Sequence, residues 1–334
     1  MNGEHSASPR REGRRKKGSS RDMDRLLRTG WVILGLLLAS LCLNAQQVFL
    51  VKQGRGRAQQ GMAIHGNWIF SCEDGGKVNL YDFRKRDGVP VTSFTLASAQ
   101  KDNHANNAEF GIEKKAGASF PLLYISVGKV GCPIEWTCFV ESVTRQGNTF
   151  TSELVQTILL DNCHGWEDAG YTPIFGSPSF LIDRDRRFLW VFSAIKRTTP
   201  AVTKDFSENL YVATKFRIPA LSEGSVVHLR LKDILGQVTF PYDIGFTQAG
   251  CVRDGKIYYC FGVGNRSDDR PAGIRVYDTD TGAITASFDL KETVLQEPED
   301  IHVRGKKIYL NANTPSKSGI DPLIYTIPLP RHLQ

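Results

Sequence analysis

Two short clusters hold the side chains best suited to chemistry: His104, Asn106, Asn107 and Glu109 within HANNAEF, and Glu297, Glu299, Asp300 and His302 within EPEDIH. Carboxylate and amide oxygens of this kind suit a hard cation such as Ca2+, which takes about six to eight oxygen ligands, with Glu299 and Asp300 as the first candidates. An imidazole beside a carboxylate suits acid–base work instead. A third role is structural, since polar side chains also satisfy backbone groups and channel water that have no other partner.

Other clusters are less specific. Asp161-Asn162-Cys163-His164-Gly165-Trp166-Glu167-Asp168 gathers ligand types in one loop, but its spacing matches no metal motif and it reads as an exposed turn. Trp136, Trp166 and Tyr171 could stack on a sugar ring or pack a rim. Gly262-Val263-Gly264 lacks the third glycine and following helix of a dinucleotide fingerprint. There is no GxSxG, P-loop or CxxC.

The elements that position these residues are small antiparallel units. Gln60–Phe83 contains one: an inner strand from Gln60-Gly61 to Ile64, a tight turn at His65-Gly66-Asn67, and a β-branched and aromatic strand over Trp68–Ser71. A turn at Asp74-Gly75-Gly76 follows, then a strand over Lys77–Phe83 whose alternation predicts half burial. The same order returns from Gln248 to Asp278 and again from Glu297, with weaker copies at His104–Ser126 and Ser177–Phe192. Unit starts at Gln60, His104, Ser177, Gln248 and Glu297 lie 44, 73, 71 and 49 residues apart.

Such periods with short strands predict an all-β fold, a β-propeller of five blades, or six if a long unit hides another. The last unit offers three strands, so the N-terminal strand over 47–52 is expected to complete it and close the ring. The two long units are expected to carry surface loops within Cys132–Asn148 and Arg197–Glu223. Blade starts face a common channel, so Gln60, His104, Gln248 and Glu297, with neighbours Asn106, Asn107, Glu109, Glu299, Asp300 and His302, are expected to meet at one rim.

The repeated ending, Val-Asn-Leu-Tyr81-Asp82 and Ile-Arg-Val-Tyr277-Asp278, resembles secreted bacterial β-propellers of the broad group that includes NHL-type and streptogramin-lyase-like proteins. The likeness covers roughly residues 47–328 and is architectural. It implies a propeller but no one activity, because that group spans lyases, lactonases, ligand binders and scaffolds.

The charge of +7 is concentrated at the start: residues 1–29 carry nine Lys/Arg against four acids, leaving 33 against 31 in the remainder. No nucleic-acid partner is implied. Residues 1–22 read as a disordered basic leader or, with Met23 as initiator, a mis-assigned start. Residues 23–45 read as a signal peptide: a basic flank, the apolar run Trp31–Leu43, too short to span a bilayer, and Ala45 before a polar mature start. The Asn44-Ala45-Gln46 context is similar to Bacteroidota export signals. The propeller domain is then 46–334, exported to the periplasm, cell surface or medium, and membrane-bound only if the signal stays uncleaved. Beyond Cys42 six cysteines remain, and Cys132 with Cys138, Cys251 with Cys260, and Cys72 with Cys163 are the candidate disulfides, against the alternative of free buried thiols.

The sequence thus favours an exported, monomeric binding or interaction protein with a polar ligand or ion site at the channel rim, its partner a small molecule, glycan or cell-surface protein. The alternative is a propeller hydrolase or lyase, metal-assisted in one version, acting on a sugar or cell-wall-derived substrate. A purely structural docking scaffold is the third class.

Overall fold

The computed structural model describes residues 47–50, 59–85, 88–194, 209–313 and 322–334. Residues 1–46, which contain the expected leader and signal, lie outside them, as do 51–58, 86–87, 195–208 and 314–321.

Five sheets make up the propeller, one per blade. Blade I is β2 (Gln59–His65), β3 (Trp68–Glu73), β4 (Lys77–Asp82) and β5 (Thr92–Thr95). Blade II is β6 (Asn107–Phe110), β7 (Leu123–Ser126), β8 (Thr137–Gln146) and β9 (Thr149–Leu160). Blade III is β10 (Phe175–Asp183), β11 (Phe188–Ala194), β12 (Leu210–Arg217) and β14 (Gly236–Pro241). Blade IV is β15 (Thr247–Arg253), β16 (Lys256–Phe261), β17 (Gly273–Asp278) and β18 (Ile284–Asp289). Blade V is β19 (Glu297–Arg304), β20 (Lys307–Asn313) and β21 (Leu323–Pro328), completed by β1 (Gln47–Leu50). The N-terminal strand therefore closes the ring, pairing Gln47 with Thr326 through Leu50 with Leu323.

The cores lie between blades. Phe70 and Phe94 of blade I meet Phe110, Phe120 and Phe150 of blade II, with Phe70 and Phe110 edge-to-face at 5.0 Å. Phe192 and Tyr211 of blade III meet Tyr259, Phe261 and Tyr277 of blade IV, the Phe192 and Tyr259 ring centres 4.3 Å apart. Further clusters join blades II and III, IV and V, and V and I. Each sheet is thus covered on both faces, and β4, expected to be half-buried, is buried at every residue but Lys77. Its alternation separates two interiors rather than core from water.

Both expected surface loops contain strand among their described residues. The extra length of blade II extends the β8–β9 hairpin, and β12 occupies eight residues of the stretch read as a loop within 197–223. Beyond β12 the chain leaves blade III, and β13 (Val226–Leu229) adds in parallel to the outer edge of blade II, pairing His228 with Leu159 before the chain returns as β14.

Candidate functional site

The inner strands β2, β10, β15 and β19 share one irregularity. Each loses register near its start, between Gln59 and Met62, Phe175 and Ser179, Thr247 and Gly250, and Pro298 and Asp300. Such bulges turn side chains and main-chain groups out of the ladder, here at the end of the channel where the blades begin, called the upper face below.

Asp300 uses this freedom most fully. Its Oδ2 accepts the main-chain N–H of Met62 in blade I at 2.8 Å and of Ala108 in blade II at 3.0 Å. Its Oδ1 accepts from Asn107 Nδ2 at 3.1 Å and from the N–H of Ile301 at 2.8 Å. Asn107 Nδ2 also donates to the carbonyl of Gly250 in blade IV at 2.7 Å, and Asn106 Nδ2 donates to the carbonyl of Gln248 at 2.9 Å. Glu109 Oε2 accepts the N–H of Ile182 in blade III at 2.8 Å. Asn311 Nδ2 donates to the carbonyl of Gln60 at 2.7 Å. Gln248 Nε2 donates to Glu297 Oε1 at 3.0 Å, and Arg266 binds the other oxygen of Glu297.

The structure therefore brings most of the expected rim residues together, as a frame that ties blade to blade. The side chains of Asn107, Gln248, Glu297 and Asp300 each make two or more hydrogen bonds to the protein's own groups, and those of Asn106 and Glu109 make one each to another blade. Glu299 is buried with a single hydrogen bond, from Asn313 Nδ2 at 3.3 Å, and Gln60 Oε1 has no partner among the described residues. Burial raises the carboxyls of Glu109, Glu299 and Asp300 well above their usual range, opposed at Asp300 by its four N–H donors. No group of three or more His, Cys, Asp or Glu side chains arranged to hold a metal ion occurs among the described residues.

Two expected members stand apart. His104 precedes β6 and is half-exposed, its Nδ1 3.0 Å from Asp74 Oδ1. His302 sits two residues from the opposite end of β19, near the lower mouth, because β19 runs the length of the channel.

The upper face also carries an open cleft of about 670 Å3 over blade II, lined by the loop Gly131–Thr137, by Leu159–Asn162 and by His228. Trp136 lines it half-buried, its Nε1 anchored on the carbonyl of Gly176 at 2.8 Å. Asp161 also lines it, its Oδ1 2.6 Å from His228 Nδ1, and Arg230 Nε donates to Asp161 Oδ2 at 3.2 Å. The His228 imidazole and the Arg230 guanidinium hold Asp161 below the usual carboxylate range. The crossover strand β13 is what delivers His228 and Arg230 to Asp161. No local motif marks them, and their alternation in VVHLRL signals only a strand. Trp166, expected as a stacking candidate, is fully buried in the core between blades II and III, and Tyr171 packs half-buried against that core.

None of the three candidate disulfides is present, and all six cysteines are free thiols. Cys132 and Cys138 belong to different cores, as do Cys72 and Cys163. Cys251 lies opposite Tyr258 and Cys260 opposite Ile274, with Cys260 Sγ against the carbonyl of Ala249 at 3.1 Å.

No protein-family profile matches the chain, and no curated protein matches it in sequence. Among solved structures it is similar to glutaminyl cyclase of Myxococcus xanthus, at 12% identity over 84% of this chain and 95% of that one, with a TM-score of 0.44. The Cps50 (Swd1) β-propeller domain of Myceliophthora thermophila gives 11%, 83%, 86% and 0.37, and the WD40 β-propeller domain of Doa1 gives 9%, 84%, 82% and 0.41. The class is defined by the chain's own five radial sheets: a five-bladed β-propeller, a scaffold for binding or catalysis.

Proposed function

We propose that this propeller is an exported binding protein that takes a neutral, hydroxyl-rich ligand, of glycan type, in the cleft beside Trp136. The cleft carries this reading, because its volume suits a small ligand and it pairs an aromatic wall with a wall of hydrogen-bonding groups, Asp161, Asn162 and His228. An indole supplies a stacking face, while carboxylate, amide and imidazole serve hydroxyls as acceptors and donors. The rim residues act as the frame beneath it. Export rests on the segment 23–45, and the architectural resemblance to secreted NHL-type and streptogramin-lyase-like propellers is in keeping with it.

A thermal-shift and calorimetric screen of oligosaccharides on the full chain tests the reading, since a ligand stabilises the state it binds. Binding that is abolished in Trp136→Ala and weakened in Asp161→Asn is the expected result. No response to any saccharide, or responses unchanged in both variants, would overturn it.

The His228–Asp161 contact favours a second reading, a hydrolase or lyase in which Asp161 orients His228 for proton transfer. Turnover of a bound saccharide, lost in His228→Gln while binding persists, would select it.

A further inference from the structure

The lower mouth of the channel is built from the turns between the first and second strands of the blades. Arg184 stands in the turn after β10, Arg253 and Arg304 end β15 and β19, Lys114 lies in the loop between β6 and β7, and His65 ends β2. These turns interlock. Asp185 Oδ2 accepts the N–H of Asp254 at 3.1 Å, joining blades III and IV, and Arg253 donates to the carbonyl of Gly305 at 2.6 Å, joining IV and V. Arg304 lies over the Phe83 ring at 4.9 Å, reaching blade I.

Some nearby basic groups are neutralised by acids, Arg253 among them, whereas among the described residues Arg184, Arg304 and Lys114 are not. Arg186 forms a two-pronged pair with Asp280, at 2.6 and 2.8 Å, and Lys115 pairs with Glu153. Of the acids among the turns, Asp185 accepts the Asp254 N–H and Asp254 pairs with Arg253 at 3.2 Å. Glu113 faces away, toward the N–H of Leu221. Among the described residues no hydrogen bond or ion pair engages Arg184 or Lys114, and Arg304 forms no ion pair. The charges of Arg184, Arg304 and Arg253, from three blades, all bear on His302, and those of Arg184, Lys114 and Arg304 on His65. Just inside the mouth, His302 Nδ1 is buried with no partner among the described residues.

We propose that the lower mouth binds a small, multiply charged oxyanion of the phosphate or pyrophosphate type, held by Arg184, Arg304 and Lys114, with His302 Nδ1 as the inner donor. Guanidinium groups bind such oxygens in two-pronged fashion, and a cluster of like charge concentrates a compact anion. An N–H at Nδ1 would gain the partner it lacks. The ligand differs in charge from the one proposed for the upper cleft and enters at the opposite end, so either site stands or falls alone.

Isothermal titration of the full chain with sodium pyrophosphate, at constant ionic strength set by chloride, is the test. The expected result is saturable binding weakened about tenfold or more in each of Arg184→Gln and Arg304→Gln, and unchanged in Lys291→Gln, whose side chain pairs with Asp268 instead. Circular dichroism identifies variants that remain folded. Where one does not, Lys114→Gln, in an exposed loop, takes its place. Absence of saturable binding, equal affinity in the mouth variants, or binding of a long polyanion without binding of pyrophosphate would each overturn the proposal.

Discussion

Asp300 and Ala108 are 192 residues apart in the chain and 3.0 Å apart in space, the carboxylate of one accepting the main-chain N–H of the other. With Met62, Asn107 and Ile301 on the same two oxygens, one side chain joins blades I, II and V. Removing it leaves several buried donors unpaired, each at about 1–3 kcal/mol. Asp300→Ala is therefore expected to lower stability by about 3–5 kcal/mol in urea unfolding, and Asp300→Asn by less, because one acceptor oxygen survives.

Glu299 and His302 set opposing pH dependences. Burial and the nearby Glu297 charge raise Glu299, so the unfolded chain releases its proton at lower pH than the native one. Stability from this source is complete below about pH 4 and falls as pH rises through the raised native value. His302, lowered to about 3 by burial and by Arg184, Arg304 and Arg253, acts the other way: its contribution is complete above about pH 6.5 and is lost as pH falls toward 3. In unfolding free energy measured from pH 5 to 8, Glu299→Gln should remove a downward slope of at most about 1.4 kcal/mol per pH unit. His302→Asn should be less sensitive to acid than the wild type below pH 6.

Glycines at the bulges permit close packing at the channel. A Cβ on Gly61 would stand 2.6 Å from the carbonyl oxygen of Ala105 in blade II, and one on Gly250 would stand 2.2 Å from the carbonyl oxygen of Tyr258. Both contacts are with backbone, which cannot swing aside. Gly61→Ala and Gly250→Ala should each cost about 1–3 kcal/mol, with the thermal midpoint falling in step.

Thiol reactivity reports the packing of the cysteines. Cys72, Cys138, Cys251 and Cys260 are buried, and burial raises each thiol far above its ordinary range. Cys132 and Cys163 are part-exposed. Of the six, native protein should label rapidly only at these two with an aromatic disulfide reagent, and at all six in denaturant. Peptide mapping of the labelled sites checks this.

The blades were legible because their signals are local. Gln60-Gly61 and Gln248-Ala249-Gly250, a turn, an aromatic strand and a terminal Tyr-Asp mark blades I and IV, and the three-strand last unit points to closure by the first strand. The rim was legible as a set of residues but not as a set of partners. Whether a lone pair of Asp300 is free for a ligand depends on the main chain of Met62 and Ala108, which no spacing reveals. Val226–Leu229 was invisible as an added edge, since its pairing partner β9 lies some 70 residues earlier and across a blade boundary. His228, and the cleft wall it forms, was missed with it. Cysteine pairing is not legible from spacing: Cys251 and Cys260 share one core but stand out of register, Cys251 opposite Tyr258, while Cys132 and Cys138, like Cys72 and Cys163, lie in different cores.

The first strand of the ring is also its last to be placed. β1 has no partner until β21 exists, and almost the whole domain is made between them. A nascent chain therefore carries an unclasped β1 while four blades assemble, and the edge of β21 stays open until the two meet. Until they pair, both are open strand edges, the kind that can pair with another copy of the same chain.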